Sequence, residues 1–213
     1  MIPDIAFASV LALSAALTIL VSARTRAGVR DYLRFAAALF AALALADLTA
    51  AINGEIWSVQ FAQTVGLIVT ALAPAMLALA IAAVFEAPLK AIVAAPVLVL
   101  VCLAGFAAAI TGEAFIAVAP LAASVCAMLA LSARRWRTQT RAPAQVCISA
   151  LALLAGAAAL AAGDNGRTAF ALFCAAALLG VSLATTKTAA AKTSERVVEQ
   201  KMPRFDWRVR GQS

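Results

Sequence analysis

The sequence predicts an all-α integral membrane protein with seven transmembrane helices, and three features of the chain point to that fold class. Of its 213 residues, 65% are hydrophobic and 13% are charged, whereas soluble domains carry roughly a quarter charged residues. Seven apolar runs approach the length of a bilayer-spanning helix, roughly 20 residues. The basic residues recur in every second connector and in the tail, and these segments share one side of the membrane only if the number of spans is odd.

The apolar runs account for nearly all of the chain. They cover residues 3–22, 34–52, 61–85, 91–110, 114–133, 145–162 and 169–186. The connectors are short, and Asn53-Gly54 and Thr111-Gly112 are typical turn sequences. We therefore expect a seven-helix bundle over residues 1–186, followed by a basic, partly helical cytoplasmic tail over 187–213.

The basic residues predict the orientation of the bundle. All but one of the 17 lysines and arginines fall on one side, in the first, third and fifth connectors and the tail. They are Arg24, Arg26, Arg30, Arg34, Lys90, Arg134, Arg135, Arg137, Arg141, Lys187, Lys192, Arg196, Lys201, Arg204, Arg208 and Arg210. The positive-inside rule places that side in the cytoplasm and the N-terminus outside. We expect a multi-pass protein of the cell membrane, which is the inner membrane in a bacterium.

A weak internal similarity suggests a duplicated arrangement of three helices, a linking helix and three more helices. When helices 1–3 are laid over helices 5–7, short motifs coincide at similar offsets. They are Ser22-Ala23-Arg24 with Ser132-Ala133-Arg134, Asn53-Gly54 with Asn165-Gly166, and Gly66 with Gly180. This topology resembles that of small sugar transporters of the SWEET type. Alanine-rich helices align readily, however, and basic loops repeat with topology alone.

Asp47 is the one ionisable residue well inside a predicted span. Inserting a carboxylate at mid-span costs about 2.5–3.5 kcal/mol, so such residues usually face a cavity or a partner. One interpretation is an intramembrane coupling site for a proton or cation. The other is a carboxylate near the outer interface that bonds Asn53, Gln60 or Gln63 or pairs with Arg167.

The third predicted helix carries a polar and small face. Gln63, Gly66, Thr70 and Pro74 recur at three- to four-residue spacing and therefore share one side of a helix. Pro74 leaves the carbonyl near Thr70 without its helical donor, and we expect the Thr70 hydroxyl to compensate for it. Together with Asp47, the face predicts a binding or coupling site. The alternative is a helix-packing seam, which Ser14, Thr18 and Ser22 indicate more strongly for the first helix.

Catalytic and cofactor chemistry finds little support in the sequence. The chain has no histidine, which removes the commonest general base and the usual zinc and haem ligands. An intramembrane aspartyl site needs two carboxylates, and only Asp47 lies deep enough. Cys102, Cys126, Cys147 and Cys174 all fall in apolar runs without metal-ligand spacing, and we expect buried free thiols. We therefore predict no enzyme, no metal and no cofactor.

The tail is the most accessible recognition segment of the sequence. Its end alternates basic residues with aromatic and aliphatic ones. The candidate contact residues are Arg204, Phe205, Trp207, Arg208 and Arg210. Arginine and tryptophan favour an anionic headgroup layer, so we expect contact with anionic lipid at the cytoplasmic face. Docking on a protein is the alternative, and the positive charge in this setting does not indicate nucleic acid.

Two functions remain open from the sequence. The first is a non-enzymatic membrane module, an accessory or sensor-like subunit that packs against another membrane protein or against itself. The second is a small solute or proton-coupled transporter that uses Asp47. The abundance of small residues, which permit close helix packing in lipid, favours the first.

Overall fold

The computed structural model is helical wherever it has regular structure, over the residues that it describes: 2–25, 27–85, 91–136, 141–161, 170 and 172–186. Seven helices follow one another in this part of the chain. They are α1 (Ile2–Ser22), α2 (Ala27–Asn53), α3 (Ile56–Phe85), α4 (Ala91–Thr111), α5 (Ala114–Arg135), α6 (Arg141–Ala161) and α7 (Leu172–Thr186). Their number and order are those that the sequence predicts.

Four of these helices, α2, α3, α5 and α6, are long and apolar enough to cross a membrane over their described residues. In α1, α4 and α7 the apolar stretches are shorter and cover Ala8–Ser22, Ala95–Thr111 and Leu172–Thr186. Helix length and composition thus favour a membrane location.

Three helices begin four or more residues earlier than their apolar runs. α2 begins at Ala27 rather than at residue 34, α3 at Ile56 rather than 61, and α6 at Arg141 rather than 145. Hydropathy marks only the stretch that suits lipid, whereas backbone hydrogen bonding continues into the polar flanks. Arg30 and Arg34, which the sequence assigns to a connector, consequently lie on the first turns of α2.

Two of the connectors are tight turns built on glycine. Gly54 follows α2 with φ +65° and Gly112 follows α4 with φ +73°. Each glycine amide donates to the carbonyl four residues earlier, Gly54 to Ala50 at 3.0 Å and Gly112 to Ala108 at 2.9 Å. This left-handed cap ends a helix and favours glycine because a Cβ is disfavoured there. It lets the next helix start two residues later and run back antiparallel.

Helix α3 lies at the centre of the bundle. It packs against α2, α4 and α5, while α1 packs on the other side of α2 and α6 on α5. In its apolar stretch 72% of the residues are buried, against 33–39% in α2, α5 and α6. α7 lies against α6, where Gly156 admits Phe170 and Phe173. The largest fully buried side chains include Phe40, Leu77, Met128, Leu153 and Leu178.

The bundle carries its bulky apolar side chains outside and its hydroxyl groups inside. On α1, Leu13, Leu17 and Leu20 are exposed, whereas Ser14 and Thr18 are buried. Among the described residues, every buried polar side chain is a serine or a threonine. Small and hydroxylated residues at helix interfaces, with large apolar ones facing outward, suit a lipid environment and would form extensive apolar patches in water.

The two ends of the bundle differ in charge. α1 and α2 meet at one end, where the Arg34 guanidinium Nε donates to Ser22 Oγ at 3.3 Å. The C-terminal ends of α3 and α5 meet at that same end, where Arg135 donates to the carbonyl of Phe85. At the opposite end Glu55 and Glu113 precede the first residues of α3 and α5. The two glutamates and the arginines in the last turn of α5 complement the helix dipole, whereas Arg34 lies near the N-terminus of α2 and does not.

Candidate functional sites

Asp47 lies on α2, six residues before the helix ends at Asn53. At 1.5 Å per residue it is about 9 Å from that end along the axis. Its side chain is half-buried. Asp47 therefore lies between the middle of the bundle and its acidic end.

The register between α2 and α3 locates the neighbours of Asp47. Gly66 of α3 faces Leu43 of α2, since a Cβ on Gly66 would lie 3.8 Å from Leu43 Cδ1. Asp47 is one turn beyond Leu43 toward the acidic end. Because the helices are antiparallel, it is level with Ala62 and Gln63, one turn before Gly66. The register thus brings Asp47 and Gln63 to the same level of the bundle.

The other predicted residues of the α3 face lie deeper. Gln63 is exposed, whereas Thr70 and Pro74 are buried in the packed part of α3. Gln63 and Pro74 are 11 positions apart, about 16 Å along the axis. The α3 face therefore has two parts: an exposed part at Gln63, level with Asp47, and a buried part at Thr70 and Pro74.

The Thr70 hydroxyl does not compensate for the missing proline amide. It donates to the carbonyl of Gly66 at 2.7 Å, one turn earlier than the carbonyl that Pro74 leaves without its helical donor. A threonine hydroxyl in a helix reaches backward along the chain, so it bonds one turn before the carbonyl for which the sequence predicts compensation.

The hydroxyl ladder of α1 is a packing seam, as the sequence indicates. Ser14, Thr18 and Ser22 are all buried. Ser14 donates to the carbonyl of Val10 at 2.8 Å and Ser22 to that of Ile19 at 2.7 Å. The Thr18 hydroxyl, which is fully buried, has no hydrogen-bond partner within the described part of the chain.

The four cysteines are free thiols in different surroundings. Cys174 is buried, and Cys102 and Cys147 are half-buried. Cys126 is exposed, which corrects the expectation that all four are buried. It lies on the outward side of α5, because Val125 and Met128 occupy the inward side.

The outward face of α5 is a surface that sequence reasoning missed. Between Phe115 and Arg134 its exposed residues are all small: Ala119, Ala123, Cys126, Ala127, Ala130 and Ala133. Phe115 on the first turn of α5 is 79% exposed, whereas α4 and α6, which pack against α5, expose large apolar side chains along their length. The alanines at four-residue spacing are visible in the sequence, but similar spacings occur in helices where they are buried.

Arginines gather at the basic end where α1 meets α2. Arg24 follows the end of α1, and Arg30 and Arg34 are one turn apart on α2. Arg30 Nε lies 3.7 Å from Asp31 Oδ1. The candidate tail residues Arg204, Phe205, Trp207, Arg208 and Arg210 lie outside the described residues, and their contact with lipid or protein stays a prediction.

The chain was compared with family models, with curated proteins and with solved structures, and none of them matches it.

Proposed function

We propose that this chain is a seven-span membrane protein that acts as a non-enzymatic accessory subunit. In this proposal it packs the outward face of α5 against a transmembrane helix of a different membrane protein. The observation that carries the proposal is a contrast between α5 and its neighbours. The exposed residues within 116–133 of α5 are all alanine or cysteine, whereas α4 and α6 expose leucine, isoleucine, valine and phenylalanine along their length.

The spacing of aromatic residues supports the transmembrane placement. Phe115 is the second residue of α5 and Trp136 follows its last residue, and both are exposed. They are 21 positions apart, about 31 Å along a helix, which matches a hydrocarbon core of about 30 Å. Tryptophan favours the interface between lipid and water. The arginines beside Trp136 then mark the cytoplasmic side, so that the N-terminus of α1 lies outside.

The small-residue face of α5 suits a helix partner better than lipid. Lipid provides no hydrophobic drive for helices to associate, so association depends on close van der Waals contact. Alanines at positions 119, 123 and 127 share one side of the helix and allow two backbones to approach closely. Bulky side chains on α4, such as Leu100, Leu103 and Phe106, hold a second helix away.

Charge at the end of α5 favours a different protein over a second copy. Two copies in the same orientation, packed through α5, would bring Arg134 and Arg135 of one beside those of the other. Like charges so placed oppose association. A partner helix with carboxylates at its cytoplasmic end would complement these arginines instead.

Bulky substitutions on α5 test the proposal. The double variant Ala123→Leu and Ala127→Leu would be purified from native membranes in mild detergent beside the wild type. The matched control is Ala12→Leu and Ala16→Leu, since these two alanines are exposed on α1 among leucines. We expect the wild type and the control to retain a membrane protein that the α5 variant loses. A photoreactive residue at position 130 should cross-link to that protein.

Three outcomes would contradict the proposal. One is a monomeric wild type with no co-purifying protein. Another is equal retention by all three proteins, which would place the contact elsewhere. The third is a cross-link between two copies of this chain, which would show self-association through α5 instead of a different partner.

One observation favours a second function, proton- or cation-coupled solute transport. The half-buried Asp47 lies level with Gln63 in the outer part of the α2–α3 interface. The proposed repeat supports it too, because Gly66 faces α2 and its counterpart Gly180 faces α6 at Ser149. In proteoliposomes, Asp47→Asn should abolish solute-driven proton uptake and Asp31→Asn should not. Unchanged flux in Asp47→Asn would contradict this function.

A further inference from the structure

The junction of α1 and α2 concentrates positive charge at the basic end. Arg24 lies two residues beyond the end of α1, and Arg30 and Arg34 lie on the first two turns of α2. Asp31 is the one described acidic residue in this stretch. Three guanidinium groups against one carboxylate leave a net charge that an anion would balance.

Two of the arginines make side-chain contacts that leave most of their donors available. Arg34 Nε donates to Ser22 Oγ at 3.3 Å, which ties its guanidinium to the end of α1. The Arg30 side chain is 38% exposed, and its Nε atom lies 3.7 Å from Asp31 Oδ1 but makes no hydrogen bond among the described residues. A guanidinium carries five N–H donors in a fork that matches phosphate oxygens.

The start of α2 leaves room for an anion. Its first turn contains no acidic residue, and the position of a Cβ on Gly28 has nothing within 4 Å. The nearby hydroxyls do not cap α2, because they donate to carbonyls at the end of α1: Ser22 to Ile19 and Thr25 to Ser22. The first amides of a helix lack intrahelical acceptors and attract negative charge.

We infer that this arginine cluster (Arg24, Arg30 and Arg34) binds a phosphate group, and that the phosphate belongs to the headgroup of an anionic lipid. Buried Val29 and Leu33 fix the inward side of α2, and half-buried Tyr32 lies between the two arginines in sequence. If this end faces the cytoplasmic leaflet as proposed above, the cluster lies at headgroup depth. Basic pockets between helices at that depth are suited to lipid phosphates. The inference rests on the proposed placement but not on the α5 partner.

Lipid retention by the purified full chain tests the inference. The protein in uncharged detergent would be mixed with phosphatidylglycerol, with phosphatidylcholine or with inorganic phosphate. Native mass spectrometry would count bound lipid, and thermal melting would report stabilisation. We expect retention of phosphatidylglycerol but not phosphatidylcholine, with roughly 10- to 30-fold weaker retention in Arg30→Gln/Arg34→Gln.

Two matched variants separate a phosphate site from general attraction. Arg134→Gln/Arg141→Gln removes the same charge from the same end and should retain lipid within about twofold of the wild type. Arg30→Lys/Arg34→Lys keeps the charge but removes the forked donors, and should lie between the wild type and the glutamine variant. This conservative pair also keeps the test valid should the glutamine variant fail to fold.

Several results would overturn the inference. Equal losses in the two glutamine variants would mean diffuse attraction, as would full retention in the lysine variant. A melting shift with inorganic phosphate as large as that with lipid would make a free anion the occupant. The α5 variant Ala123→Leu/Ala127→Leu should retain lipid normally, so failure of the partner proposal would be seen separately.

Discussion

Hydroxyl groups inside the bundle are mostly satisfied by their own helix. Ser132 donates to the carbonyl of Met128 at 2.8 Å and Ser124 to that of Pro120 at 2.7 Å. Such bonds let a hydroxyl be buried at little cost because it shares an acceptor one turn earlier. Thr18 departs from this pattern, since its buried hydroxyl has no partner in the described part of the chain.

Replacing Thr18 by valine should stabilise the protein. Valine has nearly the same shape, and the substitution removes a buried polar group whose desolvation costs about 1–3 kcal/mol. We expect the midpoint of thermal unfolding in detergent to rise by roughly 2–4 °C. Thr70→Val is the control and should lower it slightly, because Thr70 loses a 2.7 Å bond to Gly66. A lower midpoint for Thr18→Val would show that its hydroxyl does have a partner.

At the scale of helices, glycines set how closely neighbouring backbones approach. A Cβ on Gly156 of α6 would lie 3.1 Å from Phe173 Cβ and 3.2 Å from Phe170 Cδ2. A Cβ on Gly66 would meet Leu43 at 3.8 Å, an ordinary contact. The interface between α6 and α7 therefore depends on its glycine, and the one between α2 and α3 does not.

Gly156→Ala should destabilise the protein while Gly66→Ala should not. The first substitution forces α6 and α7 apart by a few tenths of an ångström in a packed core, where overpacking costs about 1–3 kcal/mol. The second gains about 1 kcal/mol or less in helix propensity without a clash. Thermal unfolding of both variants in the same detergent would measure the difference. Equal midpoints would mean that α7 moves away from α6 freely.

The sequence predicts the helices better than it predicts their faces. Apolar runs locate all seven helices because a long helix of apolar residues has few alternatives. The start of α2 at Ala27 is missed because its first turns carry arginines, which hydropathy excludes from a span. Which side of α5 is buried is missed for another reason. Alanine suits lipid, a partner helix and a core equally, so only the positions of α3, α4 and α6 decide it.

The sequence predicts the helix that carries the candidate residues but not their depth. Gln63 and Pro74 both lie on α3, where depth along the helix separates them, and a site shared with Asp47 stays a prediction. A periodic pattern reports direction around an axis and not position within the bundle. Asp47 and Gln63 lie at the same level because Gly66 faces Leu43 across the antiparallel helices. A local sequence pattern does not predict that register.

At the scale of the whole molecule, charge is sorted between the two ends of the bundle. Antiparallel neighbours joined by two-residue turns put Glu55 and Glu113 at one end. Arg34 and Arg135 lie at the other and tie α1 to α2 and α5 to α3. The same arginines that predict the orientation thus also connect the helices, so we expect their loss to affect both topology and packing.

Labelling of single cysteines tests this sorting in a membrane. In a background with the four native cysteines replaced by alanine, we would introduce Glu55→Cys, Glu113→Cys, Arg24→Cys or Arg134→Cys one at a time. A maleimide that cannot cross the membrane should label positions 55 and 113 in intact cells, because the acidic end faces outward under the positive-inside rule. Positions 24 and 134 should react only after the membrane is opened. The reverse pattern would invert the orientation, and mixed labelling within one end would contradict the shared placement of its helix termini.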